Sequence, residues 1–240
     1  MSREEIAREF YVDDHALLFA LLAKNILSAA EREEGLEIIR RGVTEYGLER
    51  GLRYARRCLE YGDPLTVPSY MAHSELVEPR AWNKSVTESL SPYKFNTVTC
   101  GWCATWKKYN LLEYGKLYCS RIDVSLLRGF NRDIVLEVSP IMSHGSEVCS
   151  FTWKNFGFRD QAQADLAAQR RRELLPLVGR DFLYHCAHLL STLRRAVYFS
   201  LGAASGSRVL ASALRDYAGE RGESRKKALL DDSRQDFCEI

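Results

Sequence analysis

The sequence lacks a long apolar stretch. No segment approaches the roughly 20 apolar residues that a bilayer-spanning helix requires. The longest apolar run near the start, residues 16–23, follows two aspartates, whereas a secretory signal opens with a basic region. The pattern therefore predicts neither a membrane span nor a signal peptide, and we expect a cytoplasmic protein.

An excess of one charge sign is also absent. The 34 basic and 32 acidic side chains leave a formal net charge of +2. This balance offers no general attraction to nucleic acid or to an anionic membrane. We therefore expect neither a nucleic acid nor a membrane as partner, while the sequence leaves a homodimer open.

Dense cysteine spacing is missing as well. The chain has seven cysteines, an odd number, and they are scattered along 240 residues. In a chain of this size, that pattern favours free thiols in a reducing compartment over a disulfide framework.

Hydrophobic periodicity predicts helices towards both ends of the chain and a sheet between them. Residues 1–63 and 161–222 have helical patterns, and residues 94–153 contain short runs rich in β-branched and aromatic side chains. No low-complexity linker divides these segments. The prediction is a single α+β domain over residues 1–240, with a small antiparallel sheet flanked by N-terminal and C-terminal helices.

The middle segment supplies three predicted strands. They are Lys94–Thr99, Ile134–Val138 and Val148–Trp153, and residues 144–146 (His-Gly-Ser) form the turn of a hairpin between the last two. Residues 64–92 have poor periodicity and are expected to be mostly connection.

Several helix boundaries follow from glycine and proline. Separate helices are expected at Glu34–Val43 and from Tyr46 to Leu59, and one continuous helix at Tyr114–Leu127. The long apolar helix that starts at Asp181 is expected to end at Gly202.

Two pairs of residues have a spacing that is typical of metal-binding or redox-active sites. Cys100 and Cys103 form C-G-W-C, and His185 and His188 have the i, i+3 spacing that places both imidazoles on one helix face. A shared metal site is one interpretation. Packed thiols and hydrogen-bonded histidines are the simpler one, and it is favoured because some eighty residues separate the pairs.

Cys119 and Asp123 are spaced so that both side chains share one face of the predicted helix at Tyr114–Leu127. A reactive thiolate needs a nearby imidazolium or helix N-terminus, and His144 in the hairpin turn is the obvious imidazole. Asp123 then holds a substrate amidinium or orients a histidine. The alternative for Cys119 is a buried, inert cysteine.

Two further residues have open interpretations. Cys149 alternates with Phe151 and Trp153 along one face of its strand, where cysteine is usually part of the core. Asn131 follows Phe130, and it either ends the preceding helix in the left-handed conformation or presents its amide to a ligand.

The block from Cys100 to Phe151 resembles the L-2-amino-thiazoline-4-carboxylic acid hydrolase family. It reads C-G-W, then E-Y-G-K-L-Y-C-S-R-I-D, R-G-F-N and H-G-S-E-V-C-S-F. Cys100 matches the family's first cysteine, and Cys119 and Asp123 match its central pair. The last motif is matched by Gly145, Cys149 and Phe151. Gly101 replaces the usual proline and Ser146 the common aspartate, and the last motif is also similar to that of vinyl reductase domains.

The resemblance implies an α+β fold and hydrolysis of a cyclic amidine such as 2-aminothiazoline-4-carboxylate. In the implied mechanism, Cys119 attacks the amidine carbon, His144 shuttles protons and Asp123 binds the amidinium. Neither a cofactor nor a metal is expected. The alternative is a non-catalytic small-molecule-binding or sensory domain similar to vinyl reductase domains. The residues expected to bind substrate are Cys100, Arg121, Asn131 and Cys149.

Overall fold

The computed structural model describes residues 2–77, 80 and 83–239, and it confirms a mostly helical α+β fold. Helices occur towards both ends of the chain, and a four-stranded antiparallel sheet lies in its middle. The helices are α1 (Arg3–Ala7), α2 (Val12–Ala29), α3 (Arg32–Glu60), α4 (Val67–Ala72), α5 (Gly101–Lys108), α6 (Leu112–Cys119), α7 (Ile122–Phe130), α8 (Gln161–Val178), α9 (Phe182–Arg221) and α10 (Glu223–Asp232), with a 3₁₀ helix at Met142–His144. The strands are β1 (Lys84–Leu90), β2 (Tyr93–Thr99), β3 (Leu136–Val138) and β4 (Cys149–Trp153).

The chain divides into two compact units. The helical unit comprises the chain up to Tyr46, Gly101–Arg121 and Asp181–Asp236. The sheet unit comprises Gly47–Cys100, Ile122–Arg180 and the chain from Phe237 onward. A single domain over residues 1–240 stays a prediction, and residues 1 and 240 lie outside the described part.

The helical unit is built around α2. This helix buries apolar side chains on all its faces, which is typical of a helix inside a core. It packs against α9, α5 and α6, and α10 packs on α9. In the part of the chain that the structure describes, no helix is long and apolar enough to cross a membrane.

The predicted break at Gly202 is confirmed. Within the helical stretch Phe182–Arg221, Gly202 has φ 72° and ψ 169°. A positive φ is accessible to glycine because it has no Cβ. Beyond the break, the helical stretch continues to Arg221, and α10 follows.

The sheet has the strand order β1-β2-β4-β3 with antiparallel neighbours. The three predicted strands are confirmed with slightly different bounds. Phe95 pairs with Phe151 across β2 and β4, and their rings stack at 4.8 Å with an interplanar angle of 9°. This aromatic pair fixes the register of the central strands.

The interpretation of residues 64–92 as mostly connection is wrong for two elements. Helix α4 and strand β1 both lie there, and residues 78, 79, 81 and 82 of that segment fall outside the described residues. Five of the seven residues of β1 are exposed, so this edge strand has no buried face to mark it in the sequence.

The two helices predicted for residues 34–59 are one helix, α3. Gly47, near the predicted start of the second helix, and Gly51 are contact points inside α3. In the sheet unit, a Cβ added at Gly47 would lie 2.6 Å from Cβ of Ser125 in α7. A Cβ at Gly51 would lie 1.9 Å from the carbonyl oxygen of Leu126. Helix α7 therefore crosses α3 with no room for a side chain at Gly47 or Gly51.

The single helix predicted at Tyr114–Leu127 is also wrong. Helix α6 ends at Cys119, Ser120 and Arg121 form a turn, and α7 begins at Ile122. Cys119 and Asp123 therefore do not share a helical face, and the i, i+4 argument that joined them does not apply.

Candidate active site

Asp123 lies in the first turn of α7, within the sheet unit. Burial raises the pKa of its carboxyl group to about 6, and the neighbouring Arg50 cation opposes part of that shift. The side chain is half-buried, and among the described residues it has neither a hydrogen bond nor an ion pair. A carboxylate with no partner in a partly desolvated place is a candidate proton acceptor.

Tyr70 of α4 is the aromatic neighbour of this carboxylate. Burial raises the pKa of the Tyr70 phenol well above its usual range, and the negative charge of Asp123 contributes to the shift. The ring lies 5.4 Å from that of Phe130 and 5.8 Å from that of Tyr54. Within residues 2–77, 80 and 83–239, the Tyr70 hydroxyl has no hydrogen-bond partner.

Trp153, the last residue of β4, packs on the same phenol. The two ring centroids are 5.7 Å apart at an interplanar angle of 62°. Its indole N–H is buried and has no hydrogen-bond partner in the described structure. A buried donor without an acceptor costs free energy, so such a group points to a ligand or a water molecule that completes it.

We call Arg50, Tyr54, Tyr70, Asp123 and Trp153 the Asp123 cluster. Three of its polar groups, an acceptor on Asp123, a hydroxyl on Tyr70 and a donor on Trp153, have no partner in the described chain. The Asp123 carboxylate and the Trp153 ring both neighbour the Tyr70 phenol, and their elements α4, α7 and β4 belong to one unit. Apolar walls with a few convergent polar groups are typical of a small-molecule site.

The other two members hold the cluster in place. The Arg50 guanidinium donates to the Tyr54 hydroxyl oxygen at 3.0 Å, and the same oxygen accepts the backbone N–H of Glu75 at 3.0 Å. Glu75 is fully buried and accepts two hydrogen bonds from Arg53, at 2.8 and 3.0 Å. Buried, charge-assisted contacts of this kind fix the side-chain rotamers around the site.

The other sequence-predicted residues of the sheet unit make different contacts. His144 is exposed at the end of the 3₁₀ helix. The Cys149 sulfur is buried and accepts the backbone N–H of Met142 at 3.1 Å. Cys100 is half-buried directly after β2.

Asn131 holds two backbone segments together. Its amide NH₂ donates to the Leu65 carbonyl at 2.8 Å, and its amide oxygen accepts the N–H of Asp133 at 2.9 Å. Among the described non-glycine residues, a positive φ occurs only at Asn110, so the left-handed conformation, one of the two alternatives for Asn131, does not occur. Both ends of the amide are engaged with the backbone, which favours a structural role over a ligand contact.

The remaining predicted residues belong to the helical unit. Cys119 is the half-buried last residue of α6, and Arg121 is exposed in the turn that follows. The structure therefore assigns Cys119 to one unit and both Asp123 and His144 to the other.

His185 and His188 are buried in α9 among aromatic rings. The Tyr46 and His188 centroids are 4.8 Å apart, and those of Phe182 and His185 are 5.8 Å apart. Burial also raises the pKa of the Cys103 thiol. In the described part of the chain, no group of three His, Cys, Asp or Glu side chains is placed to hold a metal ion.

Sequence reasoning identified Asp123 but missed its neighbours. Tyr70 lies in a segment interpreted as connection, and Trp153 was assigned to the packed face of its strand. Arg50 belongs to residues 46–51, which read Y-G-L-E-R-G. The two glycines of this segment, at 47 and 51, lie where α7 crosses α3. Glycines four residues apart within a long helix were the available signal that another backbone approaches there.

Comparison with known proteins decides the family. The family model described as L-2-amino-thiazoline-4-carboxylic acid hydrolase matches residues 12–153, more than half of the chain. The chain belongs to this hydrolase family. All five residues of the Asp123 cluster fall within the matched segment. Membership implies a hydrolase that acts on a thiazoline C–N bond, and it suggests 2-aminothiazoline-4-carboxylate as the small heterocyclic substrate. No curated protein and no solved structure matches the chain.

Proposed function

We propose that this protein hydrolyses a cyclic amidine of the 2-aminothiazoline-4-carboxylate kind, with Asp123 as the general base. The observation that carries the proposal is the state of Asp123 itself. The pKa of its carboxyl group is raised to about 6, and the group lies beside the Tyr70 phenol. It makes no hydrogen bond and no ion pair within the described chain. A base with a pKa near neutral pH accepts a proton effectively and is still ionised when the reaction runs.

The reaction balances with one water molecule and one carboxylate. Asp123 takes a proton from water while the water oxygen forms a bond to the amidine carbon. The protonated Asp123 gives this first proton to the ring nitrogen. The hydroxyl group of the tetrahedral intermediate then passes its own proton through Asp123 to the same nitrogen, as the carbonyl forms and the ring C–N bond breaks. The product is a carbamoyl-cysteine, which is the substrate plus one water, and Asp123 ends in its starting state.

Tyr70 and Trp153 supply the remaining contacts in this proposal. A planar heterocycle packs favourably against aromatic rings, and the cluster presents several of them around Asp123. The unpaired indole N–H of Trp153 and the hydroxyl of Tyr70 are hydrogen-bond donors for the substrate's heteroatoms. Binding would give each group the partner that it lacks in the free protein.

A covalent route, with Cys119 as nucleophile and His144 as proton shuttle, is the second mechanism. It is supported by the match between Cys119 and the cysteine of the family's central pair. Cys119 ends α6, and the carbonyl end of a helix carries partial negative charge, which disfavours a thiolate there. We therefore favour direct attack by water. A Cys119→Ala variant that retains turnover supports the direct route, whereas complete loss of turnover in a folded variant supports the covalent one.

The proposed reaction is tested with purified protein, 2-aminothiazoline-4-carboxylate and a panel of related cyclic amidines and lactams, followed by mass spectrometry. We expect a product heavier than the substrate by one water. A thiol reagent then identifies the broken bond, because C–N cleavage keeps the sulfur bonded and C–S cleavage releases a thiol. Saturable binding without any product would contradict the hydrolase and support a binding module.

A further inference from the structure

A group of buried cations lies in the sheet unit, and it shares Arg50 with the Asp123 cluster. Arg50, Arg53 and Arg57 repeat along α3 at intervals of three and four residues, so they share one helix face. All three are within 4 Å of the Glu75 carboxylate. The three guanidinium groups therefore share this buried carboxylate.

Arg57 has more donors than its neighbours use. The side chain is about 95% buried, with a relative accessibility of 5%. Its Nη2 donates to the Glu75 carboxylate at 2.8 Å and to the His73 carbonyl at 3.3 Å. Its Nε and Nη1 are buried and have no hydrogen-bond partner in the described structure. Two unpaired donors on a buried cation are unfavourable unless something else accepts from them.

Arg171 of α8 also has a buried N–H donor without a hydrogen-bond partner in the described structure. Its Nη2 donates to the Leu76 carbonyl at 2.9 Å, while its buried Nη1 has no partner among the described residues. Both arginines thus hold the same short segment, residues 73–76. Burial lowers the pKa of Arg171, and the positive charge of Arg57 adds to the effect, so the two cations are close enough to repel each other.

We propose that Arg57 and Arg171 bind a small oxyanion between α3 and α8. Guanidinium groups recognise carboxylate, phosphate and sulfate oxygens through paired N–H donors. An anion there would accept from Nη1 of Arg57 and from Nη1 of Arg171, and its charge would offset the repulsion between them. A water molecule could accept the same hydrogen bonds but would leave the repulsion in place.

The proposal does not depend on the reaction assigned to Asp123, because anion binding is measurable without turnover. Isothermal titration of the full chain with sodium sulfate, against sodium chloride at equal ionic strength, measures it directly. We expect saturable binding of one sulfate per chain to the wild type. Arg171→Gln should weaken this binding at least tenfold.

Arg172→Gln is the matched control, because Arg172 is the exposed next residue of the same helix. It should bind sulfate as the wild type does. Arg171→Gln removes one side-chain contact to the backbone, and a thermal melt checks that it remains folded. If it is unfolded, Arg171→Lys replaces it and should weaken sulfate binding while keeping the charge.

Absence of saturable sulfate binding to the wild type would overturn the proposal and leave water as the occupant. Equal binding by the wild type and a folded Arg171 variant would overturn it as well. Where sulfate binds, its effect on turnover of 2-aminothiazoline-4-carboxylate identifies the natural anion. Competitive inhibition means that the substrate carboxylate occupies the site, and binding without inhibition means that a free anion does.

Discussion

The Cα of Gly51 lies directly against the backbone of Leu126. A methyl group at position 51 would be 1.9 Å from the Leu126 carbonyl oxygen and 2.7 Å from the Phe130 nitrogen. Both neighbours are backbone atoms, which cannot move aside as a side-chain tip can. This contact sets the crossing of α3 and α7 and thereby the placement of Arg50 beside Asp123.

Gly51→Ala should destabilise the protein by about 3 kcal/mol or more, since overpacking against fixed backbone forces the two helices apart. The measurement is the midpoint of urea unfolding. Gly219→Ala is the control, because it is also in a helix and has no atom within 4 Å of its added Cβ. It should stabilise by roughly 0.5–1 kcal/mol through helix propensity. Equal effects from the two substitutions would refute the close crossing.

Asp123→Asn should make the protein more stable at high pH. The folded-state pKa is raised from 3.8 to about 6, so the folded protein holds this proton more tightly. Stability contributed by the protonated carboxyl is present below pH 4 and is lost as pH rises through about 6. We expect the variant to exceed the wild type by about 1–3 kcal/mol at pH 8 and to match it near pH 4.

Activity should require the ionised form of Asp123. The pH profile of kcat/KM should therefore fall on the acid side with a midpoint near pH 6, decreasing tenfold for each pH unit below it. An acid limb centred near pH 4, the range of an ordinary carboxyl group, would show that a different group controls the reaction.

Glu75→Gln should strongly destabilise the sheet unit. The substitution removes the negative charge that three buried arginines share, and breaking a buried ion pair on one side costs about 3–5 kcal/mol. Glu88→Gln removes an exposed carboxylate that pairs with Lys94, and it should change the free energy of unfolding by less than about 1 kcal/mol. Similar losses for both variants would contradict the buried network.

The fold class could be predicted because the two end segments and the middle segment each have their own hydrophobic period. Alternation revealed β2, β3 and β4, and the apolar stretch after Asp181 revealed α9. Strand β1 could not be found in this way, since an exposed edge strand has no apolar face. Helix α3 was divided incorrectly, because a glycine that permits a close helix crossing has the same sequence signature as one that ends a helix.

The candidate site was only partly predictable for a related reason. Asp123 was found through its family-like motif, which is local in sequence. Tyr70 and Trp153 join it from an element interpreted as connection and from a strand about thirty residues away. Their unpaired polar groups are properties of the folded packing, and no local pattern records them. The motif also favoured pairing Cys119 with Asp123 on one helix, and the turn at Ser120 and Arg121 breaks that helix.

The most direct measurement of the central claim is kcat/KM for 2-aminothiazoline-4-carboxylate with wild-type protein and with Asp123→Asn. We predict that the wild type converts the substrate to a carbamoyl-cysteine. A folded Asp123→Asn protein should lose a factor of about 10²–10⁴, the range expected for removal of a general base. Failure of the wild type to turn over the substrate panel, or equal rates for the two proteins, would contradict the account.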